Sequence, residues 1–284
     1  MNHIMHVVGR TPPEELFHYS DFTGLNGLIA NKQIWMGDLF FLNDEKEYQL
    51  GIDLFNTCLE EQKIKYGSSQ FGVFLSSLNN IEKLLKESPP FSFSLTEEGD
   101  LLSQWRGYTK NGIGVNVGFS SLGLKDSFQL LPCLYTLEEQ RKYIEHLFDL
   151  AINKFSHTEE KGQFDKALCL NPSELPHWDA INEAGTQLIS HLSAACSIIK
   201  DTSFSEEKEW RLVCFTRDNI EFVPKDTYLK PIKKMNIEPD KIVTSIKVGP
   251  NPNKNLCRSS INALLKANGL KDTQVSISEI PYRN

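Results

Sequence analysis

The sequence lacks the patterns that mark several large classes of protein. No apolar run approaches the ~20 residues that span a bilayer, and residues 1–10 lack the basic and apolar regions of a secretory signal. The six cysteines stand singly at 58, 133, 169, 196, 214 and 257, which argues against a zinc site or a disulfide framework. We therefore expect a cytoplasmic protein without a membrane partner.

Motifs for common cofactors and metals are also missing. There is no phosphate loop, dinucleotide fingerprint or nucleophile elbow. His177 and His191 are fourteen residues apart on one helical stretch and cannot share an ion, so we expect no metal site. The net charge of -7 gives no general attraction to nucleic acid.

The 284 residues, 40% of them hydrophobic, are enough for a sizeable core. Alternating apolar segments predict strands near 16–19, 34–36, 91–95, 113–119, 128–135, 209–216, 220–223, 228–232, 242–248 and 275–280. Apolar residues three and four apart predict helices, including 71–87, 137–155, 173–200 and 253–268. Because the connections vary too much for a βαβ series, we predict one α+β domain over 1–284 with a helical insertion at 137–200.

The charged stretch before the strand at 209–216 is the most unusual part of the chain. Alternation would place Glu207, Glu209 and Arg211 on one face, with Lys208 and Trp210 on the other. Two interpretations stay open. The stretch is either a solvated edge strand with local ion pairs, or the position of an active-site carboxylate, Glu209.

Two earlier strands carry further candidates. His18 lies in an apolar strand, either as a core histidine with one hydrogen bond or as a neutral imidazole that offers a nitrogen to a ligand hydroxyl. Ser92 and Ser94 share one face of their strand, where their hydroxyls either meet solvent or bind a ribose or carboxamide.

A cluster follows those serines. Trp105, Arg106 and Tyr108, with Gln104, could grip a phosphate and stack on a flat ring. A buried Trp and a salt-bridged Arg would explain the same residues without a ligand.

These strings resemble the bacterial domain-of-unknown-function family 2971. The resemblance rests on Leu16-Phe-His-Tyr-Ser, Leu42-Asn-Asp, Phe93-Ser-Leu, Leu101-Leu-Ser-Gln-Trp-Arg-Gly-Tyr, Glu206-Glu-Lys-Glu-Trp-Arg-Leu and Val248-Gly-Pro. It extends in order from about Leu16 to Arg283. The family name implies no activity.

The order of His18, Ser92/Ser94 and Glu207-Lys-Glu209 is also similar to NAD-dependent ADP-ribosyltransferases. That resemblance implies a split, mixed or antiparallel sheet and NAD as substrate. It implies that Glu209, Glu207 and His18 are catalytic. It also implies that NAD is bound by His18, Ser92, Ser94, Trp105, Arg106 and Tyr108.

The resulting expectation is an ADP-ribosyltransferase or NAD glycohydrolase. Its acceptor would be a protein or nucleic acid, and its role that of a toxin or anti-phage defence effector, with a defence-system partner protein. Two alternatives remain: a non-enzymatic module that binds a ligand or partner, and a nucleic-acid-processing enzyme.

Overall fold

A computed structural model describes residues 9–41, 47–78, 81–109, 112–159 and 178–281. Within those ranges the chain divides into two compact units. The sheet unit takes residues 10–41, 91–133 and 203–281, and the helical unit takes residues 47–90 and 134–202. The prediction of a single domain stays a prediction. The sequence favours Asn43 or Asp44 as the cap of the helix that follows, and both residues lie outside the described ranges.

The secondary structure mixes strands and helices along the chain, which confirms the α+β class. The described strands are β1 Glu15–Ser20, β2 Gln33–Asp38, β3 Phe91–Thr96, β4 Val115–Ser120, β5 Gln129–Pro132, β6 Glu209–Cys214, β7 Ile220–Pro224, β8 Leu229–Asn236, β9 Val243–Val248 and β10 Gln274–Ile277. The described helices are α1 Phe22–Ile29, α2 Glu47–Tyr66, α3 Gln70–Ser77, α4 Ile81–Glu87, α5 Leu102–Tyr108, α6 Ser121–Ser127, α7 Leu137–Glu159, α8 Trp178–Cys196, α9 Pro239–Ile242 and α10 Lys254–Ala267.

All of these strands belong to one sheet of the sheet unit. Its order is β10-β9-β4-β1-β3-β2-β8-β7, and β6 pairs with both β3 and β5. Among the described strands, β9 and β10 run parallel and the other pairs are antiparallel.

The sheet divides at β3. One edge of β3 pairs with β6 along its whole length. The other edge is shared, because β1 reaches it only where Phe17 opposes Thr96, whereas β2 reaches it where Gly37 opposes Ser92 and Asp38 opposes Phe91. Between these contacts β1 and β3 lack a continuous ladder, which leaves room for a side chain.

The helical unit follows the predicted apolar spacing, with two differences from the prediction. Tyr48, Ile52, Phe55 and Leu59 form the buried stripe of α2. The predicted helix over 71–87 is two helices, α3 and α4. The first ends at Ser77 with Leu78 as its C-cap, just before Asn79-Asn80, a pair with low helix propensity. Helices α7 and α8 fall within the predicted insertion, but they share their unit with α2, α3 and α4.

Candidate functional site

A small cavity of about 40 Å³ opens in the sheet unit beside the point where the sheet divides. Five of the predicted site residues line it: His18, Ser94, Tyr108, Glu207 and Glu209. The other lining residues are Phe17, Tyr19, Leu95, Thr96 and Gln104. The structure thus brings together residues that are as much as 191 positions apart in the sequence.

Glu209 begins β6 opposite Thr96 and is held by Arg211. The guanidinium donates from Nε to Oε1 over 2.7 Å and from Nη2 to Oε2 over 3.0 Å. The side chains of Arg211 and Glu209 are 2% and 5% exposed. Glu209 and Arg211 share a strand face, as predicted. The interpretation of this stretch as a solvated edge strand is wrong, because both side chains are buried. Such a bidentate contact fixes the direction of the carboxylate and supplies two charge-assisted hydrogen bonds.

Glu207 reaches the cavity from outside the strand. It ends a 3₁₀ helix at Thr202–Glu207, and Lys208 adopts φ 42°, a left-handed conformation that breaks the alternation assumed from the sequence. The prediction that Glu207 continues the strand face of Glu209 is therefore wrong. The Tyr108 hydroxyl donates to Glu207 Oε1 over 2.8 Å, and Thr96 Oγ1 donates to the Glu207 carbonyl over 2.6 Å.

His18 occupies the gap where the sheet divides. Its Nδ1 donates to the Ser94 carbonyl over 2.8 Å, and its ring stacks on Phe93 with centroids 4.0 Å apart. Burial lowers the pKa of His18 to about 4, although the hydrogen bond to the Ser94 carbonyl acts in the opposite direction. The ring is therefore neutral at pH 7. Because Nδ1 carries the proton, Nε2 is a hydrogen-bond acceptor.

His18 also lines a second cavity, of about 150 Å³. Phe93, Trp35 and Gln33 are among its other lining residues. The imidazole is therefore part of the wall of both cavities.

The two serines of β3 differ although they share a face. Ser94 lines the first cavity, and its hydroxyl has no hydrogen-bond partner among the described residues. Ser92 lies between Gly37 and Val213 on the neighbouring strands. It is buried, its Oγ is unpartnered in the described structure, and it does not line this cavity. The expected contact of Ser92 with NAD does not fit this placement.

The helical period of α5 separates the predicted cluster. Gln104 and Tyr108 are four residues apart, so they share a helix face, and both line the cavity. Trp105 points into the core instead, where it is fully buried and donates Nε1 to Asp100 Oδ1 over 2.8 Å. The predicted stacking role of Trp105 is therefore wrong. The sequence also suggested Asp100 as the cap of this helix, but Asp100 accepts the bond from Trp105 and the N-cap of α5 is Leu101.

Arg106 is exposed on α5 and does not line the cavity. Its predicted role with a phosphate therefore concerns the surface outside the cavity. The sequence pattern placed Gln104 in this cluster without a role of its own, and it did not identify Thr96 or Arg211 as site residues. The four-residue spacing of Gln104 and Tyr108 was the signal that could have identified Gln104.

Two further findings bear on chemistry. Within the described ranges, no group of three or more His, Cys, Asp or Glu side chains could hold a metal ion. None of the helices there combines the length and the apolar composition that crossing a bilayer requires.

Comparison with known proteins gives one match. No curated protein and no solved structure matches the chain. Residues 104–212, which include Gln104, Tyr108, Glu207 and Glu209, match the model of a family described as protein of unknown function (DUF2971). This match supports the resemblance drawn from the sequence motifs over residues 104–212.

Proposed function

We propose that the cavity cleaves the nicotinamide–ribose bond of NAD and transfers ADP-ribose to a macromolecule or to water. The observation that supports this most is the meeting of His18, Ser94, Glu207 and Glu209 around one cavity. They occur along the chain in the order of the ADP-ribosyltransferase motifs. A neutral imidazole, a hydroxyl and two carboxylates are groups that bind ribose and stabilise positive charge on it.

The reaction begins with loss of the leaving group. The bond between C1′ of the ribose and the ring nitrogen breaks, and its electron pair stays with nicotinamide, which leaves neutral. The ribose acquires oxocarbenium character, and the carboxylate of Glu209 stabilises that positive charge. Arg211 keeps this carboxylate in a fixed direction, so little reorganisation accompanies the charge development.

The reaction ends with attack of a nucleophile on C1′. A water molecule or an acceptor oxygen or nitrogen forms the new bond and gives up a proton. Glu207 is the proposed acceptor of that proton, because it lines the cavity but is not part of the buried Glu209–Arg211 pair. The products are nicotinamide, a proton and ADP-ribose, either free or attached to the acceptor.

At about 40 Å³ the cavity is too small for a dinucleotide. The nicotinamide end would enter it, and the rest of NAD would lie outside. His18 would accept a hydrogen bond at Nε2 from a ribose hydroxyl, and Ser94 would contact the nicotinamide side. Arg106 remains the proposed contact of the pyrophosphate on the exposed surface of α5.

The test is incubation of the protein with NAD, with and without cell extract, followed by measurement of free nicotinamide and of label transferred from NAD. We expect wild type to release nicotinamide and Glu209→Gln to be slower by roughly 10²-fold or more. Glu221→Gln is the control, because Glu221 forms an exposed ion pair with Lys234 on β7 and β8. It should not change the rate.

Glu209→Gln could lose activity by unfolding, so Glu207→Gln is measured beside it. Glu207 accepts a hydrogen bond from the Tyr108 hydroxyl at an exposed position, and its substitution should lower the rate with a smaller loss of stability than Glu209→Gln causes. A folded Glu209→Gln protein as active as wild type would contradict the assigned role. Intact NAD after incubation of wild type, with and without extract, would refute the function and favour the binding module.

Addition of a chelator tests the alternative of a nucleic-acid-processing enzyme. A metal-dependent nuclease would lose activity with the chelator, whereas the proposed transferase would not. The role of a toxin or anti-phage effector stays a prediction. Growth arrest on expression of wild type but not of Glu209→Gln would support it.

A further inference from the structure

Gln104 is a buried amide that lines the cavity without a partner. Its residue is 5% exposed, and among the described residues its side chain makes no hydrogen bond, ion pair or other polar contact. Both donor hydrogens and both acceptor lone pairs of the amide are therefore unused by the described protein. Neither polar atom of this side chain is among the fully enclosed atoms that lack a partner in the described structure, so the amide stays accessible from the cavity to a ligand.

The position of Gln104 is fixed by its helix. Trp105, the next residue, anchors α5 in the core through its hydrogen bond to Asp100. Thr109 Oγ1 donates to the Trp105 carbonyl over 2.6 Å and secures the end of the same helix. The unpartnered amide is therefore carried by a well-held element.

The charged residues around the cavity indicate which ligand charge is favoured there. Glu207 and Glu209 line it, and none of its ten lining residues is Lys or Arg. Arg211 offsets the charge of Glu209, so the preference of the cavity for a cationic ring over a carboxylate comes mainly from Glu207. The rings of Tyr19 and Tyr108 also line the cavity and favour a flat cation.

We propose that Gln104 recognises the carboxamide of a pyridinium ring, which makes it the residue that selects nicotinamide over nicotinate dinucleotides. This rests on the proposed function. The Gln104 carbonyl oxygen accepts a hydrogen bond from the ligand amide nitrogen, and the Gln104 amide nitrogen donates to the ligand carbonyl. A ligand carboxylate lacks the donor of this pair and adds a negative charge beside two others.

The first measurement compares kcat/KM for NAD with that for its nicotinic acid analogue, in which a carboxylate replaces the carboxamide. Wild type should prefer NAD by about 10²-fold or more, because a buried polar group would otherwise be left unpaired. Gln104→Leu should reduce that preference at least tenfold, mainly by raising KM for NAD. Gln274→Leu, at an exposed position of β10, should leave it unchanged.

Gln104→Glu is a second variant of nearly the same size, in case leucine disturbs packing. Its carboxylate accepts but does not donate, so it should also lose the preference. A folded Gln104 variant that discriminates as strongly as wild type would overturn the proposal, and so would a wild type that cleaves both dinucleotides equally.

Binding of free nicotinamide and free nicotinate, measured by NMR, tests carboxamide recognition by Gln104 independently of NAD cleavage. If wild type leaves NAD intact but binds nicotinamide, and Gln104→Leu abolishes that binding, the reaction fails and carboxamide recognition stands. If NAD is cleaved with no dependence on Gln104, the reaction stands and carboxamide recognition fails. Absence of both cleavage and nicotinamide binding refutes both.

Discussion

The buried pair of Glu209 and Arg211 allows a quantitative prediction about stability. Removing one charge takes away the bidentate partner of the other at a buried position, and breaking a buried ion pair in this way costs about 3–5 kcal/mol in other proteins. A charge separation of about 4 Å at an effective dielectric constant of about 20 gives a similar attraction, about 4 kcal/mol. We therefore expect Glu209→Gln and Arg211→Met each to lower the free energy of unfolding by about 3 kcal/mol or more.

The double variant decides whether the pair itself is responsible. In the double variant neither member of the pair stays buried without the other, so Glu209→Gln with Arg211→Met should cost less than the sum of the single variants. We expect a coupling energy of at least about 2 kcal/mol, which is within the range for residues in direct contact. Urea denaturation, followed by circular dichroism, gives the free energy of unfolding of wild type, the two single variants and the double variant. The coupling energy is calculated from the differences between each variant and wild type.

An exposed pair is the control for this cycle. Lys234→Met removes the partner of Glu221, where the side chains are 26% and 53% exposed, and should change the free energy of unfolding by less than about 1 kcal/mol. Single variants of the buried pair that cost no more than this control would refute the reasoning. Additive costs in the double variant would do so as well.

Three further predictions concern other parts of the chain. Because burial lowers the pKa of His18 from 6.5 to about 4, the unfolded chain binds more protons between these pH values, and the free energy of unfolding falls as the pH drops. Urea denaturation of His18→Gln from pH 7 to 4 should lack this part of the slope, up to about 1.4 kcal/mol per pH unit. Trp105→Phe removes a hydrogen bond to a carboxylate and should cost about 1–3 kcal/mol by the same measurement. Gly51→Ala places a Cβ 2.6 Å from the Cys196 Cα and should cost about 1–3 kcal/mol, whereas Gly185→Ala, in open space on α8, should raise thermal stability.

Much of the sheet unit followed from local patterns. The alternation around His18, Ser94 and Glu209 identified β1, β3 and β6 with small errors at their ends. The pairing of Glu209 with Arg211 also follows from alternation, because residues two apart in a strand share a face. The prediction from alternation failed at Lys208, because a single left-handed residue ends the periodicity of a strand.

The sequence identified the residues of the cluster on α5, but it did not show which of them would line the cavity. Trp105 looked suitable for stacking on a ligand, and the structure uses it as a core residue with a satisfied N–H. Gln104 had no separate role among the predictions, and its amide is the one that is available to a ligand in the cavity. The helical period groups Gln104 with Tyr108, but which helix face meets a cavity depends on the elements packed against it.

The sequence by itself determined the α+β class, most of the elements, the absence of common cofactor motifs and the shared strand face of Glu209 and Arg211 in β6. These depend on periodicity and on residues close together in the chain, so local physics decides them. Only the tertiary structure decided that β1 and β2 share one edge of β3, which places His18 in the gap between strands. It also brought Gln104 to the cavity that Glu209 lines, because contacts between distant segments depend on how the whole sheet is assembled.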